Sequence, residues 1–359
     1  MQILLLLFQN RGENMKNEDY RKFLKRNGII AQDKKSVVRL FDSEPKIMNA
    51  LNQNSSFYLL GLKDTEYIKE ETIEKLEENN FIPHTIDKMS RGGRAIDIDL
   101  INPLTGRLMT GSSSGTAINV LEDYNDIGLG TDGGGSVLAP AMALNLYGII
   151  SPLFFRDDSY LKSSTDGIKF VPSLGFISKK IEIIKKATET FIDLPELDEI
   201  DVLVPTHENV FLETGQDVGE ILGDCFNSNK KLKINKSVYP NIFGDRQPNI
   251  DFLTEMLTNH DVVMSYEGPV DYYGLGDSVF GLFNSISREN QQKAGKGLIR
   301  VANMCNASAL VVPTNDFSSG YVIIAKSTPR GVNCLFEIEK LLTNKLSNKL
   351  YEKYFTINT

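Results

Sequence analysis

Cysteine and histidine are scarce in this chain, basic residues are outnumbered, and no apolar stretch is long. The three cysteines, Cys225, Cys305 and Cys334, lie far apart, without paired spacing and without a neighbouring histidine. That excludes a disulfide framework or a zinc site and makes a reducing, cytoplasmic setting the expectation. The three histidines, His84, His207 and His260, are equally isolated, and nothing arranges them as a metal centre or a Ser-His-Asp triad. Lysine and arginine total 39 against 47 acidic residues, a net charge of −8. Nucleic-acid binding needs clustered basic residues and is not expected. There is no internal repeat, no low-complexity segment and no transmembrane run, so no membrane partner is expected either.

What is present is an ordinary soluble composition, 41% apolar and 24% charged over 359 residues, enough for one large α/β domain or two average ones. Residues 1–14 stand apart. Their apolar start lacks a basic beginning and a small-residue cleavage site, so they do not read as a signal peptide. Arg11-Gly12-Glu13-Asn14 can be encoded by a purine-rich run resembling a bacterial ribosome-binding site. Residues 1–14 are therefore expected to be over-translated leader and Met15 the natural start, which the intact mass of the natural protein checks. Beyond it, strands expected at Val37–Phe41, Phe57–Leu62 and Phe81–Ile86 alternate with helices at Glu44–Asn52 and Thr65–Asn80. Strands are expected again near 202–204, 232–234, 262–264, 309–313 and 321–324. Helices are expected over Ser178–Ile192, Asp217–Phe226 and Cys334–Leu346. Alternation of this kind indicates an α/β sheet.

Two glycine clusters dominate the chain's first half. Gly111-Ser112-Ser113-Ser114-Gly115 precedes an apolar helical run, and Gly128-Leu129-Gly130-Thr131-Asp132-Gly133-Gly134-Gly135-Ser136-Val137-Leu138-Ala139-Pro140 follows it. Such clusters let backbone pass close to a ligand. The match of Gly128 to Gly133 to a dinucleotide fingerprint is weak, because little strand character precedes it and no helix follows. Ser43-Glu44-Pro45-Lys46 fits the SxxK pattern of penicillin-binding enzymes, but a Lys-Thr-Gly partner is missing, and Ser43 reads better as a helix N-cap.

Three consecutive glycines before Ser136 allow the N–H groups of Gly133 through Ser136 to converge on one point, the geometry of an oxyanion hole. A serine is a poor nucleophile until a base takes its proton. A second serine can relay that proton to a lysine, provided burial has lowered the lysine's pKa. A glycine-rich turn pair serving only packing or anion binding is the plainer alternative.

With these residues the chain resembles the amidase signature family, marked by Gly-Gly-Ser-Ser-Gly-Gly followed by Gly-Thr-Asp-x-Gly-Gly-Ser-Ile-Arg-x-Pro. The separation of Ser112 from Ser136 equals that between the family's two catalytic serines. Asn102-Pro103, Leu174 to Ile177, and Ala302 to Val322 show looser, collinear likeness. The resemblance implies a single α/β/α domain over residues 15–359 with a mixed central β-sheet. It makes Ser136 the nucleophile and Ser112 the bridging serine, held by a cis peptide after Gly111. It further implies an oxyanion and substrate-binding shell of Gly133, Gly134, Gly135, Ser113 and Asp132, and neither metal nor organic cofactor.

Some positions depart from the pattern: Leu138 stands for an arginine and Ser114 for a glycine. Lys63, in Gly61-Leu62-Lys63-Asp64, has the local form of the family's catalytic lysine but lies closer to Ser112 than usual. The other alignment puts Phe41-Asp42 there and leaves no base; Lys63 is preferred. The expected function is hydrolysis of a small-molecule amide, or an ester, through an acyl-enzyme. The alternatives are a non-catalytic member that binds an amide-like ligand or a partner protein, and one component of an amidotransferase. A homodimer is compatible with all of them.

Overall fold

The structure is a computed structural model and describes residues 18–32, 35–226, 231–347 and 349–355. The leader assigned to residues 1–14 lies outside the described residues. An 11-stranded sheet organises the fold. In chain order its strands are β1 (Val37–Leu40), β2 (Tyr58–Lys63), β3 (Phe81–Asp87), β4 (Ile127–Asp132), β5 (Tyr147–Ser151) and β6 (Ser173–Ser178). They continue as β7 (Ile200–Pro205), β8 (Leu232–Ser237), β9 (Val262–Glu267), β10 (Ala307–Pro313) and β11 (Gly320–Lys326). Across the sheet the order is β1-β3-β2-β4-β6-β5-β10-β11-β9-β7-β8.

The sheet is mixed, as expected. β2 runs parallel to β3 and β4, and β7 runs parallel to β8 and β9. β6 is antiparallel to both of its neighbours, and so is β10. The inner strands of the sheet are largely buried on both faces, because helices cover them.

Two of those helices follow the glycine clusters. α1 (Ser114–Leu121) and α2 (Leu138–Ala143) bury every one of their side chains. α1 packs on β2, β4 and β6, and α2 on β5 and β10. One hydrophobic core joins both helices to the central strands. The fit depends on glycine. A Cβ on Gly128 would lie 2.3 Å from Thr116 Cγ2 of α1, and one on Gly130 would lie 2.6 Å from Ser113 Oγ. Gly128 and Gly130 are thus residues of β4 itself, a strand not among those expected from the sequence. They lack side chains because the helix sits where side chains would go.

Other boundaries moved. The helix expected from Ser178 starts at Ile181, because Ser178 pairs in β6 and its hydroxyl donates to Asp126 O at 2.8 Å. The last expected helix begins earlier, at Pro329, capped by Thr328. α3 (Arg246–Asn259) escaped the sequence reading, since its buried stripe is only Asn249, Leu253 and Leu257. Ser43 occupies the N-cap position of the helix Glu44–Asn52, but its hydroxyl donates to Pro83 O instead of the helix.

Candidate active site

Lys63 is the last residue of β2 and is 2% exposed. Its Nζ donates to Ser112 Oγ at 2.7 Å, to Thr131 Oγ1 at 2.9 Å and to Thr131 O at 3.2 Å. Those three acceptors match the three donors of an ammonium. Burial nonetheless brings its pKa down to about 7, helped by the charge of Lys162 and opposed by Asp132. Near neutrality a sizeable fraction of Lys63 is an uncharged amine. Phe41 and Asp42, the other alignment, continue the edge strand β1, where Phe41 N–H donates to His84 O.

The first glycine cluster turns at Gly111, which has φ +77° and lies against the Pro140 ring, so close that a Cβ there would meet Cδ at 2.5 Å. The Gly111–Ser112 peptide bond is trans, a correction to the expected cis bond; among the described residues the cis bond is Gly268–Pro269. The left-handed backbone of Gly111 makes the turn instead, with Ser112 Oγ on Lys63. Ser113 N–H donates to Ser136 O at 3.2 Å and so ties the two clusters together. The Ser113 hydroxyl is buried against Gly130 and has no partner among the described residues. Ser114, in the place of a motif glycine, donates to Asp97 Oδ2 at 2.6 Å, and Asp97 is paired with Lys88. That serine anchors the hairpin of Ile96–Ile101 and Leu108–Thr110 to the start of α1.

Asp132, at the end of β4, organises the second cluster. Its carboxylate accepts the N–H groups of Gly135 at 2.7 Å, Val137 at 2.6 Å and Leu138 at 3.2 Å. It thus closes the glycine turn and satisfies the first orphan donors of α2. The Gly135 N–H is consequently directed at Asp132, which corrects the expectation that all four N–H groups from Gly133 to Ser136 converge on a substrate oxygen. The N–H groups of Gly133, Gly134 and Ser136 have no acceptor among the described residues. Ser136 is half-buried at the mouth of this turn. Leu138 is wholly buried and offers no charge.

A short hairpin, Lys162–Ser163 with Lys169–Phe170, covers the turn. A Cβ on Gly133 would lie 2.1 Å from the Phe170 ring, so the ring rests on the glycine itself. The structure therefore brings Lys63, Ser112, Ser113, Asp132 and the turn carrying Gly133, Gly134, Gly135 and Ser136 into one locality. Thr131 was missed, and its signal was its place beside Asp132 on the strand that pairs with β2. The histidines lie elsewhere. His84 is buried between Asn27 and Asn125, and burial lowers its pKa to about 4. His260 pairs with Asp201, and His207 lies near Asp217. Tyr272 packs on Tyr273, Phe317 and Arg107.

The family model described as Amidase matches residues 101–189, a span holding both glycine clusters but not Lys63. Amidase 1 of Oryza sativa subsp. japonica is 31% identical over 119 residues, which amount to 32% of this chain and 25% of that protein. The match thus spans about a quarter of that curated relative. Among solved structures, a bacterial aryl acylamidase belonging to the amidase signature enzymes superposes with a TM-score of 0.60 at 12% identity, covering 89% of this chain and 93% of that one. Allophanate hydrolase from Kluyveromyces lactis gives 0.59 at 12% identity, covering 94% and 71%. A glutamyl-tRNA(Gln) amidotransferase component from Thermotoga maritima gives 0.56 at 14% identity, covering 85% and 86%. At such identities the superpositions speak to the fold, which is an amidase-like α/β fold with a large mixed sheet. The Amidase model thus covers both serine-bearing turns, and the fold is one that amidase structures share.

Proposed function

We propose that this protein hydrolyses the C–N bond of a small amide through an acyl-enzyme on Ser136. The observation that carries the reading is the Lys63 Nζ to Ser112 Oγ distance of 2.7 Å, from a lysine whose pKa burial has lowered to about 7. In its neutral form Lys63 takes the proton of Ser112, Ser112 takes that of Ser136, and Ser136 Oγ attacks the amide carbonyl carbon. The oxyanion that forms is received by the free N–H groups of Gly133, Gly134 and Ser136, each worth about 3–4 kcal/mol where such donors have been removed. The proton held by Lys63 returns through Ser112 to the nitrogen, and the amine leaves. A water then loses its proton by the same route, attacks the acyl carbon and releases the carboxylic acid with Ser136 restored. The sum is amide plus water giving acid plus amine.

A second reading, a non-catalytic member that binds an amide-like ligand, is favoured by two departures: the trans Gly111–Ser112 bond and the buried Leu138 where the family pattern has arginine. One experiment separates the two. The purified protein is treated with a fluorophosphonate serine probe as wild type, Ser136→Ala and Lys63→Ala. Hydrolysis requires that the wild type be labelled, Ser136→Ala be unlabelled and Lys63→Ala be slowed by a factor of about a hundred or more. An unlabelled wild type supports the binding protein, and labelling that survives Ser136→Ala removes Ser136 as nucleophile.

A further inference from the structure

An arginine lies against the glycine turn at Gly134. Arg246, the first residue of α3, reaches back so that its Nη1 lies 3.4 Å from where a Cβ on Gly134 would stand. Its Nε donates to Asp166 Oδ2 at 2.8 Å, while neither Nη has an acceptor among the described residues. The side chain is only 15% exposed, so these donors are held against the glycine turn and do not sweep through solvent. A guanidinium presents its donors in a rigid fork that suits a carboxylate.

The surroundings add positive charge. Arg300 is buried beside Arg246, its guanidinium bonded to the carbonyl oxygens of Ile242, Gly244 and Gly297 and to no carboxylate. Burial and then the charge of Arg246 bring Arg300 down to about 10, which marks the two guanidinium groups as close neighbours. A cleft of about 90 Å³ opens between Asp166, Gly244, Arg246, Arg288 and Arg300. Two acids face it. Asp166 is shared between Arg246 and Ser164, and Asp245 gives its carboxylate to Arg288 and makes no bond to the start of α3. Three guanidinium groups thus meet the carboxylates of Asp166 and Asp245, with buried Glu267 acting on Arg300, and Arg246 holds its Nη donors against Gly134 without an acceptor among the described residues.

We propose that Arg246 is a specificity-determining residue that binds an anionic group of the substrate, and that the amide taken by this site is a small carboxylate-bearing one. This rests on the reading of Ser136 as the nucleophile, for it is the amide carbonyl at Ser136 that brings the substrate's carboxylate within reach of Arg246. Leu138 fits the same picture, because the nucleophile's own segment carries no cation and α3 supplies one from a distant part of the chain.

The test uses succinamate and its neutral counterpart succinamide. Each is titrated calorimetrically into Ser136→Ala protein and into Ser136→Ala carrying Arg246→Gln or Arg246→Lys. Succinamate is expected to bind the Ser136→Ala protein roughly tenfold more tightly than succinamide, a difference of ~1.4 kcal/mol. Arg246→Gln should bring the ratio to about one, and Arg246→Lys should keep part of it. Matching thermal melts establish that the variants are folded. Equal affinities, no heat from either compound, or a ratio unmoved by Arg246→Gln overturns the proposal. Ammonia release from both compounds by the wild type is followed in parallel. Discrimination by Arg246 in a protein that the fluorophosphonate does not label removes hydrolysis and leaves the anion site. Labelling of Ser136 without discrimination removes the anion site and leaves hydrolysis.

Discussion

Lys63 shows how one residue's environment decides its chemistry. In water a lysine at pH 7 is almost entirely charged, but at the end of a buried strand its charged form is disfavoured down to about 7. The rate of Ser136 labelling is therefore expected to rise with pH and level off above a midpoint near 7, measured as second-order labelling rates across buffers; a rate flat through that range removes Lys63 as the base. Asp132 acts on geometry. Replacing it by alanine leaves the N–H groups of Gly135, Val137 and Leu138 buried without their acceptor, each costing about 1–3 kcal/mol. Asp132→Ala should lower stability to urea by about 3 kcal/mol or more and abolish labelling, whereas a variant of unchanged stability would show that the turn does not depend on it. The serines and Asp132 were legible from their motif. Whether Lys63 or no lysine faces Ser112 is open in the sequence, because chain spacing does not say which strand end lies opposite a turn. That Asp132 holds the Gly135 N–H is equally invisible there, since it depends on which way a carboxylate folds back.

Among the elements, the contact between α1 and β4 sets the position of both turns. Gly128 gives the helix room, with Thr116 Cγ2 standing in the place of a Cβ. Gly128→Ala is expected to destabilise by about 1–3 kcal/mol through overpacking, and adding Thr116→Ser, which removes only that methyl, should restore most of the loss. Urea denaturation of the two singles and the double measures the coupling; additive losses would mean the methyl is not what occupies the space. Most strands and the apolar helix between the glycine clusters were legible, because alternating and fully apolar patterns follow burial directly. The strand character of Gly128 and Gly130 was not, since a residue without a side chain carries no pattern. α3 was also missed, and with it Arg246, because its apolar stripe is narrow.

At the scale of the whole molecule, buried ionisable groups shape stability against pH. His84 falls from an ordinary 6.5 to about 4, so the unfolded chain binds more protons between those values and stability rises with pH there. Asp87, buried with one carboxyl oxygen unpartnered, rises from 3.8 to about 7, so the folded state holds more protons in that window and stability falls as pH increases. The two oppose each other through most of the acid range. Lys63, lowered from 10.5 to about 7, adds stability as pH rises between those values. Removing Asp87 should uncover the imbalance: relative to wild type, Asp87→Asn is expected to gain up to ~1.4 kcal/mol for each pH unit climbed between about 4 and 7. Urea titrations at several pH values check this, and a pH-independent difference would mean that Asp87 is charged in the fold. By itself the sequence determined the α/β class, the resemblance to amidases and the serine- and glycine-bearing stretches that carry it. These are carried by short stretches in which residue type and spacing are the message. Only the tertiary structure decided that Lys63 meets Ser112, that Asp132 closes the glycine turn, that the Gly111–Ser112 bond is trans, and that Arg246 lies against Gly134. Each of those joins or orients groups through sheet order and helix packing, and such relations have no image in local sequence.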